Sequence, residues 1–269
     1  MHAAVFALVS AVTATKDVAY APDVPGEKHR LDIYAPAGVH KAPVLVFIHG
    51  GGFEQGDRRD YDGLGTALAY HGVVVVIPSY RLYPQTDARG AAADVAAAVA
   101  WAAKHIAGYG GNPRSIVLSG HSAGGYLAAL VGLDGEYLKA AGISASVVRG
   151  VIGFSGTYDV RELDPDATPD DRKQLQLYFG ASEDARALVS PITYAGKEAP
   201  PLELFCGGVY DAVACGQRDR FFAALVDAGA VAQIDADETA THVGVAVKLS
   251  RPGTLEQNIV LDFFAKNAP

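Results

Sequence analysis

Gly120-His121-Ser122-Ala123-Gly124-Gly125 decides how this chain is read. It follows the apolar run Ile116-Val117-Leu118 and sets one serine between glycines two residues to either side. That spacing is a nucleophile elbow, a sharp strand-to-helix turn that strains the serine backbone and pushes its hydroxyl outward. Glycines are needed because Cβ atoms there would collide with the adjoining strand and helix. A lone G-x-S-x-G is often an ordinary Gly-Ser loop, so the weight falls on what surrounds it.

Around the elbow, short apolar runs alternate with helix-like stretches. Residues 31–34, 44–48, 73–77, 116–118, 148–154, 202–206 and 231–234 read as strands. Residues 62–71, 87–107, 122–133, 213–229 and 254–266 read as helices, the second of them alanine-dense and so able to pack closely on a sheet. Several strand runs are apolar throughout, as strands covered on both faces must be, and this predicts an α/β fold with a mostly parallel sheet between helical layers. Between 156 and 200 the alternation fails, which predicts an inserted lid or irregular helical excursion bordering the site.

A chain of 269 residues, 50% apolar and 19% charged, suffices for one substantial α/β domain, and 1–269 is read as that. A net charge of −8 with no basic run argues against nucleic acid as a partner. No stretch approaches the roughly 18 apolar residues that would span a bilayer. His2 to Ala14 is apolar like a secretory leader and Val12-Thr13-Ala14 resembles a cleavage site, but no Lys or Arg precedes it. Residues 1–15 are therefore a signal-like or flexible segment, with cytoplasm the default and export left open. Cys206 ends an apolar run and reads more naturally as a buried small hydrophobe than as half of a disulfide with Cys215. Oligomeric state is not legible.

A serine hydroxyl is a weak nucleophile, so Ser122 needs a base and the base needs an orienting carboxylate. In elbow architectures these follow in chain order serine, acid, histidine. Of the eight histidines only His242 lies downstream of Ser122, which makes it the candidate base, on what reads as a loop, Thr239-Ala240-Thr241-His242. Asp211 follows the strand at 202–206 through a Gly-Gly turn that would deliver its carboxylate at the strands' carboxyl edge. It is the candidate acid, with Asp235 or Asp237 as the fallback. Gly50-Gly51-Gly52 follows the strand at 44–48 and leaves backbone N–H groups unobstructed; those of Gly51 and Gly52, with that of Ala123, are the candidate oxyanion hole. No nucleotide fingerprint and no short metal-ligand spacing occurs, so neither cofactor nor metal is expected. His49 and His121 read as structural, and Arg81 as a loop anchor.

Residues 49–53, 80–84 and 120–125, with Asp211 and His242, together resemble the α/β-hydrolase superfamily. The resemblance is to its esterase/lipase group, which includes hormone-sensitive-lipase-like enzymes and feruloyl-esterase- or kynurenine-formamidase-like ones. It covers about residues 16–265 and is much more specific for the superfamily than for a branch. One departure is Gln85, where the group carries an acidic residue after Tyr-Arg-Leu-Ala-Pro. The resemblance implies a cofactor-free serine carboxylesterase acting on small to medium acyl esters. Its alternatives are an arylformamidase using the same machinery and a non-catalytic binding module on the same fold.

Overall fold

The computed structural model describes residues 9, 11–21, 23, 24, 26–161 and 168–267. Its strands are β1 (Val12–Ala19), β2 (Arg30–Pro36), β3 (Ala42–Ile48), β4 (Val74–Pro78), β5 (Gly111–His121), β6 (Val148–Phe154), β7 (Leu202–Cys206) and β8 (Ala232–Ala236). They form one sheet in the order β1-β2-β4-β3-β5-β6-β7-β8. β1 and β2 run antiparallel to their neighbours; from β4 to β8 every pairing is parallel.

The helices are α1 (Asp62–Tyr70), α2 (Ala88–His105), α3 (Ala123–Leu133), α4 (Gly135–Ala140), α5 (Pro169–Phe179), α6 (Glu183–Ala187), α7 (Ala212–Asp227), α8 (His242–Leu249) and α9 (Leu255–Asn267). They cover both sheet faces, and β3 shows why its sequence is apolar without a break. Val44, Val46 and Ile48 join a core with Val95 and Val99 of α2, Leu127 of α3 and Phe221 of α7. Leu45 and Phe47 point the other way, into a core with Leu64 and Leu68 of α1, Val245 of α8 and Phe264 of α9. Each such side chain contributes about 1.5–3 kcal/mol on burial, so a polar residue on either face of β3 would be costly. α2 starts where Asp87 accepts the Gly90 N–H at 2.9 Å, and Ala88, Ala91, Ala92, Ala96, Ala98 and Ala102 form its buried face.

Two stretches meet their sequence reading only in part. Residues 12–15, read as part of a signal-like or flexible N-terminus, lie in β1; residues 1–8 and 10 of that stretch fall outside the described residues. β-branched Val12, Thr13, Thr15 and Val18 suit a strand, and the bulge between Thr15 and Val18 places Lys16 and Asp17 on the sheet edge, where charge discourages further pairing. The second concerns the stretch 156–200, of which 162–167 fall outside the described residues. Its described part holds no strand, as expected, but none of it lines the cleft described below. Instead Tyr178 and Phe179 of α5 pack on Phe53 with ring centroids 4.6 and 5.2 Å away, bracing the residue that follows Gly52. No described helix is long and apolar enough to cross a membrane.

Candidate active site

β5 ends at His121, and Ser122 turns the chain into α3 with φ 57° and ψ −120°. A non-glycine residue held there costs of order 1–3 kcal/mol, offset here in part by the Ser122 N–H donating to the Phe154 carbonyl at 2.8 Å. The crowding that demands glycine is direct: a Cβ on Gly124 would lie 2.0 Å from the Ile48 oxygen, and one on Gly120 2.4 Å from the Gly124 carbonyl. β3, β5 and α3 therefore meet backbone to backbone beneath the serine.

Ser122 opens onto a cleft of about 760 Å³ at the carboxyl edge of the strands. His242 stands on its wall, as do Gly51 and Gly52. Asp211 closes the short turn after β7, buried to 7% exposure, and its Oδ1 accepts from His242 Nδ1 at 2.8 Å. Its Oδ2 accepts from the Ser155 hydroxyl and from the Gly207 N–H at 3.3 Å. Burial works to raise the Asp211 carboxyl, but the hydrogen bonds from His242, Ser155 and Gly207 outweigh it and hold the group below its usual range. The fallback acids are elsewhere: Asp237 is ion-paired with Lys248, and Asp235 lies in β8.

His242 is not a loop residue. It is the first residue of α8, which begins where Thr241 Oγ1 accepts the Gly244 N–H at 3.1 Å. Thr-x-x-Gly gives a weak helix signal, and burial of Val245 and Leu249 supplies what propensity does not. The ring of His121 braces this start: its Nε2–H donates to the His242 carbonyl at 2.8 Å, with ring centroids 4.8 Å apart. Burial, then the nearby His242, pushes His121 down to about 4, which leaves it neutral and fixes it as a structural donor.

The glycine loop is held from behind. His49, pushed down to about 4 by burial, donates Nδ1–H to the Gly50 carbonyl at 2.8 Å and stacks on Tyr80 at 4.3 Å. The loop's far end is anchored by Arg58, fully buried, whose Nε donates to Asp32 at 3.1 Å while its guanidinium also meets Asp17 and Ser79. Among the described residues nothing accepts the N–H of Gly51 or Gly52, and the N–H of Ala123, first in α3, is one that a helix leaves unpaired. Three donors are thus left free around the serine. Arg81 anchors its loop as read, with Nε and a terminal nitrogen 2.8 and 2.7 Å from Asp94.

Cys206 and Cys215 are bonded to each other, which corrects the reading of Cys206 as a free hydrophobe. The bond spans nine residues with Cα atoms 5.3 Å apart, and Asp211 lies inside the loop it closes. Sequence reading also missed Ser155 and Arg58. A serine directly after β6, at the edge where Ser122 and Asp211 emerge, was the available signal for the first; nothing in a pair of surface-like arginines marks Arg58 for burial. Among the described residues no cluster of three His, Cys, Asp or Glu could hold a metal ion.

Residues 31–225 match the BD-FAE family. The chain is 29% identical over 232 residues to a probable isoprenylcysteine alpha-carbonyl methylesterase of Oryza sativa subsp. japonica, covering 81% of this chain and 56% of that protein. It is 31% identical over 235 residues to Esterase LipQ of Mycobacterium tuberculosis, covering 80% and 53% respectively. The chain spans about half the length of the curated relatives it matches. A thermophilic esterase from the Planctomycetes species Thermogutta terrifontis, solved with butyrate bound, superposes at a TM-score of 0.72 and 25% identity, covering 95% of this chain and 96% of that one.

Proposed function

The chain belongs to the BD-FAE family of α/β-hydrolase-fold, esterase-like proteins, and on that premise we propose that it is a serine carboxylesterase for small to medium acyl esters. Ser122 Oγ attacks the ester carbonyl while His242 Nε2 takes its proton. The Asp211 carboxylate, bonded to Nδ1, keeps that proton-accepting tautomer in place and stabilises the imidazolium as it forms. The N–H groups of Gly51, Gly52 and Ala123 receive the developing oxyanion; each such donor is worth about 3–4 kcal/mol in the transition state. His242 returns the proton to the leaving alcohol, and water then cleaves the acyl-serine by the same steps in reverse.

The observation that carries the reading is the 2.8 Å bond from His242 Nδ1 to a buried Asp211, made on the wall of the cleft that Ser122 also lines. The short acyl group bound to the Thermogutta terrifontis esterase supports the proposed substrate size. Ser122→Ala is expected to abolish hydrolysis of p-nitrophenyl acetate with the circular dichroism spectrum unchanged. Retention of most of the activity would remove the mechanism.

A further inference from the structure

One wall of the cleft is a single face of one helix. His242, Val243, Ala246, Val247, Ser250 and Arg251 all line it, at spacings of one, four, five, eight and nine residues from the histidine, which is one side of α8 continued through its C-cap. At 1.5 Å per residue, α8 itself runs about 10 Å from His242 to Leu249, and Arg251 follows its C-cap Ser250.

Its chemistry changes along that length. Val243 and Val247 are 67% and 45% exposed, whereas the same helix buries Val245 and Leu249 on its other side. Apolar side chains left bare inside a cleft are available to a ligand's apolar portion. Beyond them stands Arg251, which makes no ion pair among the described residues, whereas Lys248, one turn earlier, is paired with Asp237. The other formally charged side chain on the cleft wall, Asp60, is turned into its own turn, where Oδ2 accepts the Asp57 N–H at 2.9 Å. The free charge at the far end of the apolar strip is therefore positive, and a guanidinium fork matches a carboxylate.

We propose that this cleft prefers esters whose apolar arm ends in a carboxylate, with Val243 and Val247 taking the arm and Arg251 the charge. Arg251 acts here as a specificity residue for the esterase proposed above, and the inference rests on that reading. It concerns only the bound substrate; the bonds made and broken remain those of ester hydrolysis.

The test compares the p-nitrophenyl monoester of suberic acid with p-nitrophenyl octanoate, equal in chain length and differing in the terminal carboxylate. The wild-type enzyme is expected to show a higher kcat/KM on the monoester, carried by KM, and the preference to shrink toward unity in 0.5 M NaCl as the charges are screened. In Arg251→Gln the ratio of the two kcat/KM values is expected to fall about fivefold, the scale of a partly exposed ion pair. Val247→Ser should lower both substrates alike. If both esters are hydrolysed in a Ser122-dependent way but the wild type shows no preference, or the ratio survives Arg251→Gln, the inference is overturned and the esterase reading stands. No Ser122-dependent hydrolysis of either ester would overturn both.

Discussion

Replacing Asp211 with asparagine preserves shape and removes only the charge, and the surroundings dictate how the new amide must sit. Oδ2 faces two donors, the Ser155 hydroxyl and the Gly207 N–H. A hydroxyl can turn and accept instead; a backbone N–H cannot. The amide oxygen is therefore forced toward Gly207, and the NH2 group faces His242 Nδ1. That nitrogen must then accept, which moves the imidazole proton to Nε2, the atom that should receive the proton from Ser122. The base is present but in the wrong tautomer. The loss expected in kcat is about 10⁴-fold, near 5.5 kcal/mol of barrier. KM should hold, since Asp211 is buried behind the histidine and touches no substrate. Steady-state kinetics on p-nitrophenyl butyrate, with circular dichroism to establish folding, measures this directly. A folded Asp211→Asn enzyme within tenfold of wild-type kcat would refute the tautomer argument and the role given to Asp211.

Two further substitutions probe the frame around the site. Arg58→Met leaves Asp32 buried with only Lys16 and the Asp17 N–H beside it, and should cost about 3 kcal/mol of unfolding free energy in urea, the low end for breaking a buried pair; a loss under about 1 kcal/mol would contradict the network. Glu203 on β7 is pushed up from 4.5 to about 7 by burial and then by Asp235, so the folded state holds a proton there that the unfolded chain releases. Its contribution is complete below pH 4.5 and is lost as pH rises through about 7, which at 1.36 kcal/mol per unit amounts to about 3 kcal/mol. Glu203→Gln should flatten that fall, and urea curves at pH 5 and pH 8 that decline equally in both proteins would count against it.

What the sequence discloses here is whatever local chemistry enforces. Gly120 and Gly124 were readable because their need is steric and repeats wherever a strand turns sharply into a helix; Asp211 and His242 could be named as candidates because chain order left few choices. The unbroken apolar runs pointed to both sheet faces, since Val44 to Ile48, short and rich in β-branched residues, suits a strand covered on both sides, and all five are fully buried. What escaped depends on partners distant in the chain. β1 is a strand because β2 pairs with it, and its first residues, Val12 to Ala14, read in sequence as the end of a leader-like segment. Arg58 is buried by carboxylates 26 and 41 residues away. Cys206 pairs with Cys215 because the turn between them brings α7 back beside the end of β7. Thr241 becomes a cap only once Val245 and Leu249 have a core to enter. These long-range choices converge on one purpose in the proposed mechanism: Ser155 and Gly207 fix the carboxylate, the carboxylate fixes the ring, and the His121 ring holds the backbone that carries it. The three residues proposed as a triad are thus held by at least three more, each supplying a directional bond where the proposed reaction allows little freedom of position.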